Sequence, residues 1–363
     1  MGRCARRIFA EFFLYLRELE HHSSSAGAEL CCVVSFNSGR LLAALPMVLL
    51  RGRLRLWKHA VICSPEAAEG CDILIKRTSE SQAIATALLN KFLMSARPDM
   101  VSFFFVKIGC HLDFAIHSIA SLRVVSVFDN VMPYADLKAE VDWASYKRSL
   151  SKHYESNVRR KTRRLQDLGK VTAEIVRGAP TPTIDWLFQQ KRKWSERTNK
   201  RGHWIFSSRY QEFISKLFTS DPRFLVFVLK LNDAPIAVKL AAIGSGFAST
   251  MMISYDDKYE RFSPGNVLDE FMFRYIFENY RDSDDRHLDI DFGPGEEHFK
   301  LHWSRGNVHP TRNFTIAASR SGLAKFRFDQ SRAQILRLAL RFVQVTLRRV
   351  GRNRHKAGEY SRV

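Results

Sequence analysis

The stretch from residue 224 to residue 280 constrains the fold most. It reads "FLVFVLKLNDAPIAVKLAAIGSGFASTMMISYDDKYERFSPGNVLDEFMFRYIFENY". Apolar runs at 224–231, 236–243 and 248–255 have strand length and composition, and Asn232-Asp233-Ala234-Pro235 and Gly244-Ser245-Gly246 separate them. Three strands with short turns make an antiparallel meander. The pattern then changes period, and a helix is predicted over 265–280. At the change stands Ser263-Pro264-Gly265-Asn266. Serine is a good N-cap, and proline is tolerated at the first helical position because its missing N–H has no partner there. A glycine next to it lets a ligand approach the backbone. Free N–H groups and the helix dipole favour an anion at such a mouth, and Lys258 and Arg261 lie just before it. A phosphate or pyrophosphate fits this reading; a well-capped helix start with no ligand fits it equally. The step is not a P-loop, and no G-x-G-x-x-G fingerprint occurs.

Elements of both kinds are predicted on either side. Residues 31–63 contain a hairpin about Asn37-Ser38-Gly39, residues 79–98 a helix, 100–109 a buried strand, and 121–137 a further strand. Residues 143–170 form a strongly basic helical region that stops at Gly169. Helices follow at 183–202 and 207–219. In the first of these Ile184, Leu187 and Phe188 form an apolar face, while Lys191, Arg192 and Lys193 face solvent or ligand. Short strands are predicted at 286–295 and 308–317. The second half thus repeats, in longer form, the order of the first. We expect a mixed α/β (α+β) protein of two related domains, each a largely antiparallel sheet flanked by helices. The first covers 1–138, and the second covers 139–320 with a basic helical insertion at 143–202. A basic tail occupies 321–363. A chain of 363 residues accommodates two domains.

The net charge of +20 attracts polyanions, an anionic membrane surface or a phosphate-rich ligand, without choosing among them. Six cysteines all fall in the first third, with no C-x-x-C, and read as reduced thiols of a cytoplasmic protein. No metal cluster is expected. The N-terminal "MGRCARRIFAEFFLYLREL" looks like an amphipathic helix rather than a signal peptide, and no apolar run suits a transmembrane helix. Residues 330–356 lack acidic residues, and Ile335, Leu338, Phe342 and Val345 recur at helical spacing. This tail suits peripheral contact with an anionic membrane or a partner.

Four segments, taken in order, carry a resemblance: "YESNVRRKTRRLQDLG" at 154–169, the meander, "MISYDDKYERFSPGNVL" at 252–268, and "LDIDFGPGEEHFKLHW" at 288–303. Together they resemble bacterial GNAT-type acyltransferases of the cellulose-biosynthesis CelD/BcsL group, relatives of the Fem-type aminoacyl transferases, which have duplicated GNAT-like domains. The resemblance is clearest over 140–310. It implies an acyl-coenzyme A donor, acetyl or longer, as cosubstrate with no permanent cofactor. It places the coenzyme at Arg261, Ser263, Pro264, Gly265 and Asn266. The Arg261-to-Gly265 segment departs from the usual pyrophosphate loop, so aminoacyl-tRNA stays open as the donor.

Acyl transfer from an activated donor needs orientation, removal of a proton and stabilisation of an oxyanion. Asp291 is the first base candidate, because Asp289 and Asp291 share one side of a strand that ends in glycines. The same Asp291 also suits a loop cap. His298 is the second candidate, and Tyr255 is placed to protonate a departing thiolate or to line the pocket. Arg160 and Arg164, on one helix face, Trp194 and Lys300 are candidates for holding an acceptor: a sugar, nucleotide sugar or glycan precursor. Three functions stay open at this point. They are an acyl-coenzyme A-dependent acyltransferase, a Fem-like transferase using charged tRNA, and a non-catalytic basic nucleic-acid-binding or scaffold protein.

Overall fold

The computed structural model describes residues 28–51, 57–62, 72–76, 78–137, 142–177, 180–200, 202–244, 247–280, 289–332 and 334. The N-terminal helix expected over the first 19 residues, most of the basic tail at 330–356, Cys4, Cys63 and Cys71 lie outside them. Cys31, Cys32 and Cys110 are free and half-buried. Among the described residues no helix is long and apolar enough to cross a membrane. None of their His, Cys, Asp and Glu groups is arranged to hold a metal ion.

The first half runs β1 (Ala28–Asn37), β2 (Arg40–Arg51), β3 (Lys58–Val61), β4 (Leu74–Ile75), α1 (Ser81–Ala96), β5 (Met100–Lys107), α2 (His111–Ser118) and β6 (Arg123–Asp136). The β1–β2 hairpin closes through Ser38 and Gly39, with φ of 49° and 75°. Two positive φ values make the turn whose twist suits a hairpin. The second half runs α3 (Trp143–Ser149), α4 (Lys152–Gln166), β7 (Val171–Val176), α5 (Thr181–Thr198), α6 (Ser208–Ser220), β8 (Phe224–Leu231), β9 (Ala234–Ile243) and β10 (Phe247–Tyr255). It continues with a 3-10 turn (Asp257–Phe262), α7 (Pro264–Tyr280), β11 (Asp289–Asp291), α8 (His298–Trp303) and β12 (Val308–Ala317). The basic region is two helices, not one, and the supposed helical insertion contains a strand, β7.

The strands among the described residues join one twelve-stranded sheet in the order β1-β2-β3-β5-β12-β6-β11-β10-β9-β8-β7, with β4 beside β2. Two pairings are parallel, β3 with β5 and β10 with β11. A parallel pair needs a crossover, and α1 and α7 supply it. The halves therefore repeat one plan: three strands, a helix, a strand parallel to the third, a short helix, a last strand. The last strands are exchanged. β6, which ends the first half, pairs with β11; β12, which ends the second, pairs with β5. The two strands also pair with each other. The expected boundary at 138/139 is thus crossed by backbone hydrogen bonds, and residues 308–317 lie among the strands of the first half.

Three apolar clusters hold the layers. One packs α1 and α2 on the first half of the sheet. In the second half, α3, α4, α7 and α8 cover one face. Helices α5 and α6 cover the other. With helices on both faces, β8 and β9 read as continuous apolar runs rather than alternating ones.

Candidate active site

Strand β10 determines the geometry of the site. Among the described residues it pairs with β11 through Phe247, Ala248 and Ser249, opposite Asp289, Ile290 and Asp291. Beyond Asp291 the chain follows β6 instead: Phe292 N–H donates to Pro133 O at 3.0 Å and Gly295 N–H to Val131 O at 3.2 Å. The two strands part there. On its other edge β10 has a bulge between Thr250 and Met252 in its pairing with β9. Bulges bend and twist a strand and occur beside functional sites. Asp256 N–H donates to Ile236 O, which fixes the parity of the ladder. With Tyr255 opposite Ala237 and Ile253 opposite Lys239, the peptide groups of Ile253 and Tyr255 point away from β9. They line an open wedge between β10 and β11.

At the outer end of the wedge α7 begins. Ser263 precedes it with φ 47°, a left-handed conformation. This folds its carbonyl over the first turn, where it accepts from Asn266 N–H at 3.0 Å and Val267 N–H at 3.3 Å. Gly265 is left as the first-turn donor not taken by Ser263, so the mouth offers fewer N–H groups than the sequence suggests. Gly265 also faces inward: a Cβ there would lie 3.0 Å from Ile253 Cδ1. Its bareness lets α7 pack closely on β10. Pro264 is buried, Asn266 half-buried and Arg261 exposed over the Phe262 ring, 4.7 Å from its centroid. What the mouth has instead is a cation from α4: Lys161 Nζ donates to Ser263 Oγ at 2.5 Å. Lys161 shares the face of α4 that carries the buried Tyr154, Val158 and Leu165. Arg160 and Arg164 lie on the exposed face, where Arg160 donates to Asn157 Oδ1 at 3.1 Å.

Asp291 sits at the inner end. Ile290 points into the cluster with α7 and α8, so alternation turns Asp291 to the opposite face, the side of α5 and α6. Its carboxylate accepts from Gly293 N–H at 2.8 Å, and Lys107 Nζ stands 3.6 Å away. The side chain is 14% exposed. Burial pushes its pKa above the usual carboxylate range, against the pull of Lys107, Gly293 and Lys300. Lys107 comes from β5, and beside it Tyr134 of β6 stacks on His309 of β12 with ring centroids 3.8 Å apart. Burial, then Lys107, lowers His309 to about 4. The first half thus supplies Lys107 and Tyr134 to the surroundings of Asp291, and β12 supplies His309.

The other nominated residues do not join Asp291 in one constellation. Tyr255 lies six positions beyond Ser249 on β10, roughly 20 Å along the strand. Its hydroxyl donates to Glu260 at 3.2 Å, and burial followed by Glu260 raises its pKa. His298 is exposed on α8, its ring 6.2 Å from that of Tyr154, on the far face of the sheet from Asp291. Lys300 is buried and fastens its own loop, donating to Pro294 O at 2.6 Å and pairing with Glu297 at 3.0 Å. Trp194 is half-buried with Lys191 Nζ 4.5 Å and Lys200 Nζ 5.8 Å from its ring centroid. Lys107, Tyr134 and His309 are the residues that the sequence reading passed over; Lys161 stood there only as one cation of the basic helix.

A strand that parts from its parallel neighbour, a bulge, and a helix opening at the wedge describe a known domain. Residues 152–301 match the acetyltransferase (GNAT) domain family. The whole structure is similar to that of FemX, at 12% identity over 82% of this chain and 90% of FemX, with a TM-score of 0.59. It is also similar to the C-terminal domain of an Agrobacterium fabrum protein described as a lysylphosphatidylglycerol synthetase. There the identity is 16% over 87% of this chain and 96% of that one, with a TM-score of 0.51. At such identities the likeness speaks of fold alone. A search of curated proteins finds no match. The chain therefore carries a GNAT-type acyltransferase fold, spread over a sheet to which both halves contribute.

Proposed function

We propose that the protein is an acyltransferase that moves an acyl group from acyl-coenzyme A, acetyl or longer, to an amine or hydroxyl by direct transfer. The observation that carries this reading is the wedge itself. It is a strand edge whose peptide groups face away from β9, open beside a helix N-terminus with an ammonium on Ser263, the residue that precedes it. Peptide N–H groups on an open edge suit the carbonyl of a thioester, whose oxygen gains charge in the transition state. Lys161 and the dipole of α7 suit the pyrophosphate at the outer end. The acceptor enters from the α5 side, where Asp291 binds a polar group of its body and the Tyr134–His309 pair offers a flat surface, while its amine or hydroxyl reaches along the wedge. A sugar, nucleotide sugar or glycan precursor fits such a surface. The CelD/BcsL-like placement rests on the Tyr-Glu-Ser, Ser-Pro-Gly and Asp-Phe-Gly-x-Gly segments. A cytoplasmic enzyme held at the inner membrane face by its basic tail accords with it.

A second reading, a Fem-like transferase using aminoacyl-tRNA, draws on the exposed row of Arg159, Arg160, Arg163 and Arg164 and on the +20 charge. Calorimetry with acetyl-coenzyme A at moderate salt separates the two. We expect saturable binding in the range of enzyme substrates, roughly 1 µM to 1 mM. Lys161→Glu should weaken it about tenfold, which corresponds to about 1.4 kcal/mol. A Gly265→Glu variant is less informative, because the added atoms strike Ile253. A folded wild type that binds neither acetyl-coenzyme A nor longer acyl donors, but binds charged tRNA with steep salt dependence, overturns the first reading.

A further inference from the structure

Within the proposed acyltransferase, one amine in the wedge has no assigned task. Lys191 lies on α5, the first of the Lys191-Arg192-Lys193 run that the sequence leaves as solvent-facing or ligand-facing, and its side chain turns inward. Nζ donates to Ile253 O at 3.2 Å. That carbonyl is on the edge of β10 that faces away from β9, two positions past the bulged Met251. The ammonium therefore stands on the wedge wall beside the place where a thioester would lie. No carboxylate among the described residues pairs with it. The charged group that acts on it is Lys200, and its neighbour Arg192 is turned to Gln211. On its own helix the Trp194 ring covers it. Tyr255 points its hydroxyl to Glu260 rather than to Lys191.

We propose that Lys191 carries the proton in the acyl transfer. This rests on the acyltransferase reading. In the neutral form its lone pair accepts the proton that the acceptor amine loses as the new C–N bond forms. As the C–S bond breaks, the resulting ammonium returns that proton to the thiolate, and Lys191 is neutral again. No other reactant is required. Burial, with Lys200 nearby, lowers Lys191 to about 8, so both forms are present near neutrality, as proton transfer in both directions demands. The bond to Ile253 O keeps the amine at the wall in either state.

Competitive labelling tests this. The full chain is treated with limiting acetic anhydride between pH 6 and 11, with and without saturating coenzyme A, and lysine peptides are quantified by mass spectrometry. We expect Lys191 to label with a midpoint near 8, against about 10.4 for an ordinary lysine. Coenzyme A should suppress its labelling at least fivefold and leave Lys216, on the far side of α6, unchanged. A Lys191→Arg variant keeps the bond to Ile253 O and serves as the folded control for peptide assignment. A midpoint above 10, or unprotected Lys191 while calorimetry shows coenzyme A bound, overturns the proton role and leaves the donor reading standing. Absence of coenzyme A binding overturns both.

Discussion

His309 and His302 show how burial sets protonation in this chain. Both are held near 4: His309 by burial and Lys107, His302 by burial and His298. An ordinary histidine takes up its proton near 6.5. Between about 6.5 and 4 the unfolded chain therefore binds protons that the folded chain does not. Stability rises with pH across that window and is lost as pH falls through it. His309→Gln, which cannot charge, should flatten the loss of Tm between pH 6.5 and 4, measured by circular dichroism at fixed ionic strength. An unchanged slope would show that the imidazole is protonated in the fold. Residues of this kind were the least legible in the sequence. Lys107 and Tyr134 meet Asp291, and His309 stacks on Tyr134, from three strands that only the sheet brings together. Lys191 could not be told from Arg192 and Lys193, since three consecutive cations on a helix leave open which one turns inward. Asp291 was legible because its strand, its alternation and its glycines are local.

At the scale of elements, β9 and α7 are joined through a buried charge pair. Lys239 Nζ donates to Asp269 at 2.5 Å, and their side chains are 3% and 1% exposed. Burial pushes Asp269 up, opposed by Lys239. Removing one member leaves the other charge without compensation, at a cost of about 3–5 kcal/mol, whereas an apolar pair of similar volume is close to neutral. In urea denaturation Lys239→Met and Asp269→Leu should each lose about that much, and the double variant should recover most of it. Additive losses would sink this account. Neither residue stood out in the sequence, because each looks like an ordinary polar interruption of an apolar run. The meander, α7, β5 and β12 were legible from period and turn chemistry. β7 was not: its alternation is short, and the basic run before it favours a helical reading. The break at Leu150 and Ser151, which separates α3 from α4, carries neither glycine nor proline to mark it.

For the whole molecule, the exchange of β6 and β12 makes the halves interdependent. Deprived of β12, β5 keeps only the short pairing with β3 and exposes a long edge. Residues 1–138 alone should therefore give no cooperative unfolding transition, while the full chain melts in one step. A stable, cooperatively melting fragment would show that the exchange is dispensable. The sequence revealed two similar plans but not their exchange, since nothing local in a strand says which half it completes.

The same exchange bears on synthesis at the ribosome. Lys107 meets its partner Thr311 only after 204 further residues have been made, counting from position 107 to 311. At ordinary elongation rates of 5–20 residues per second that is a wait of roughly 10–40 s. Throughout it the nascent first half presents β5 with its edge uncovered. The N-terminal half of this protein is the first made and among the last to be finished, which makes its emerging strands natural clients for chaperones.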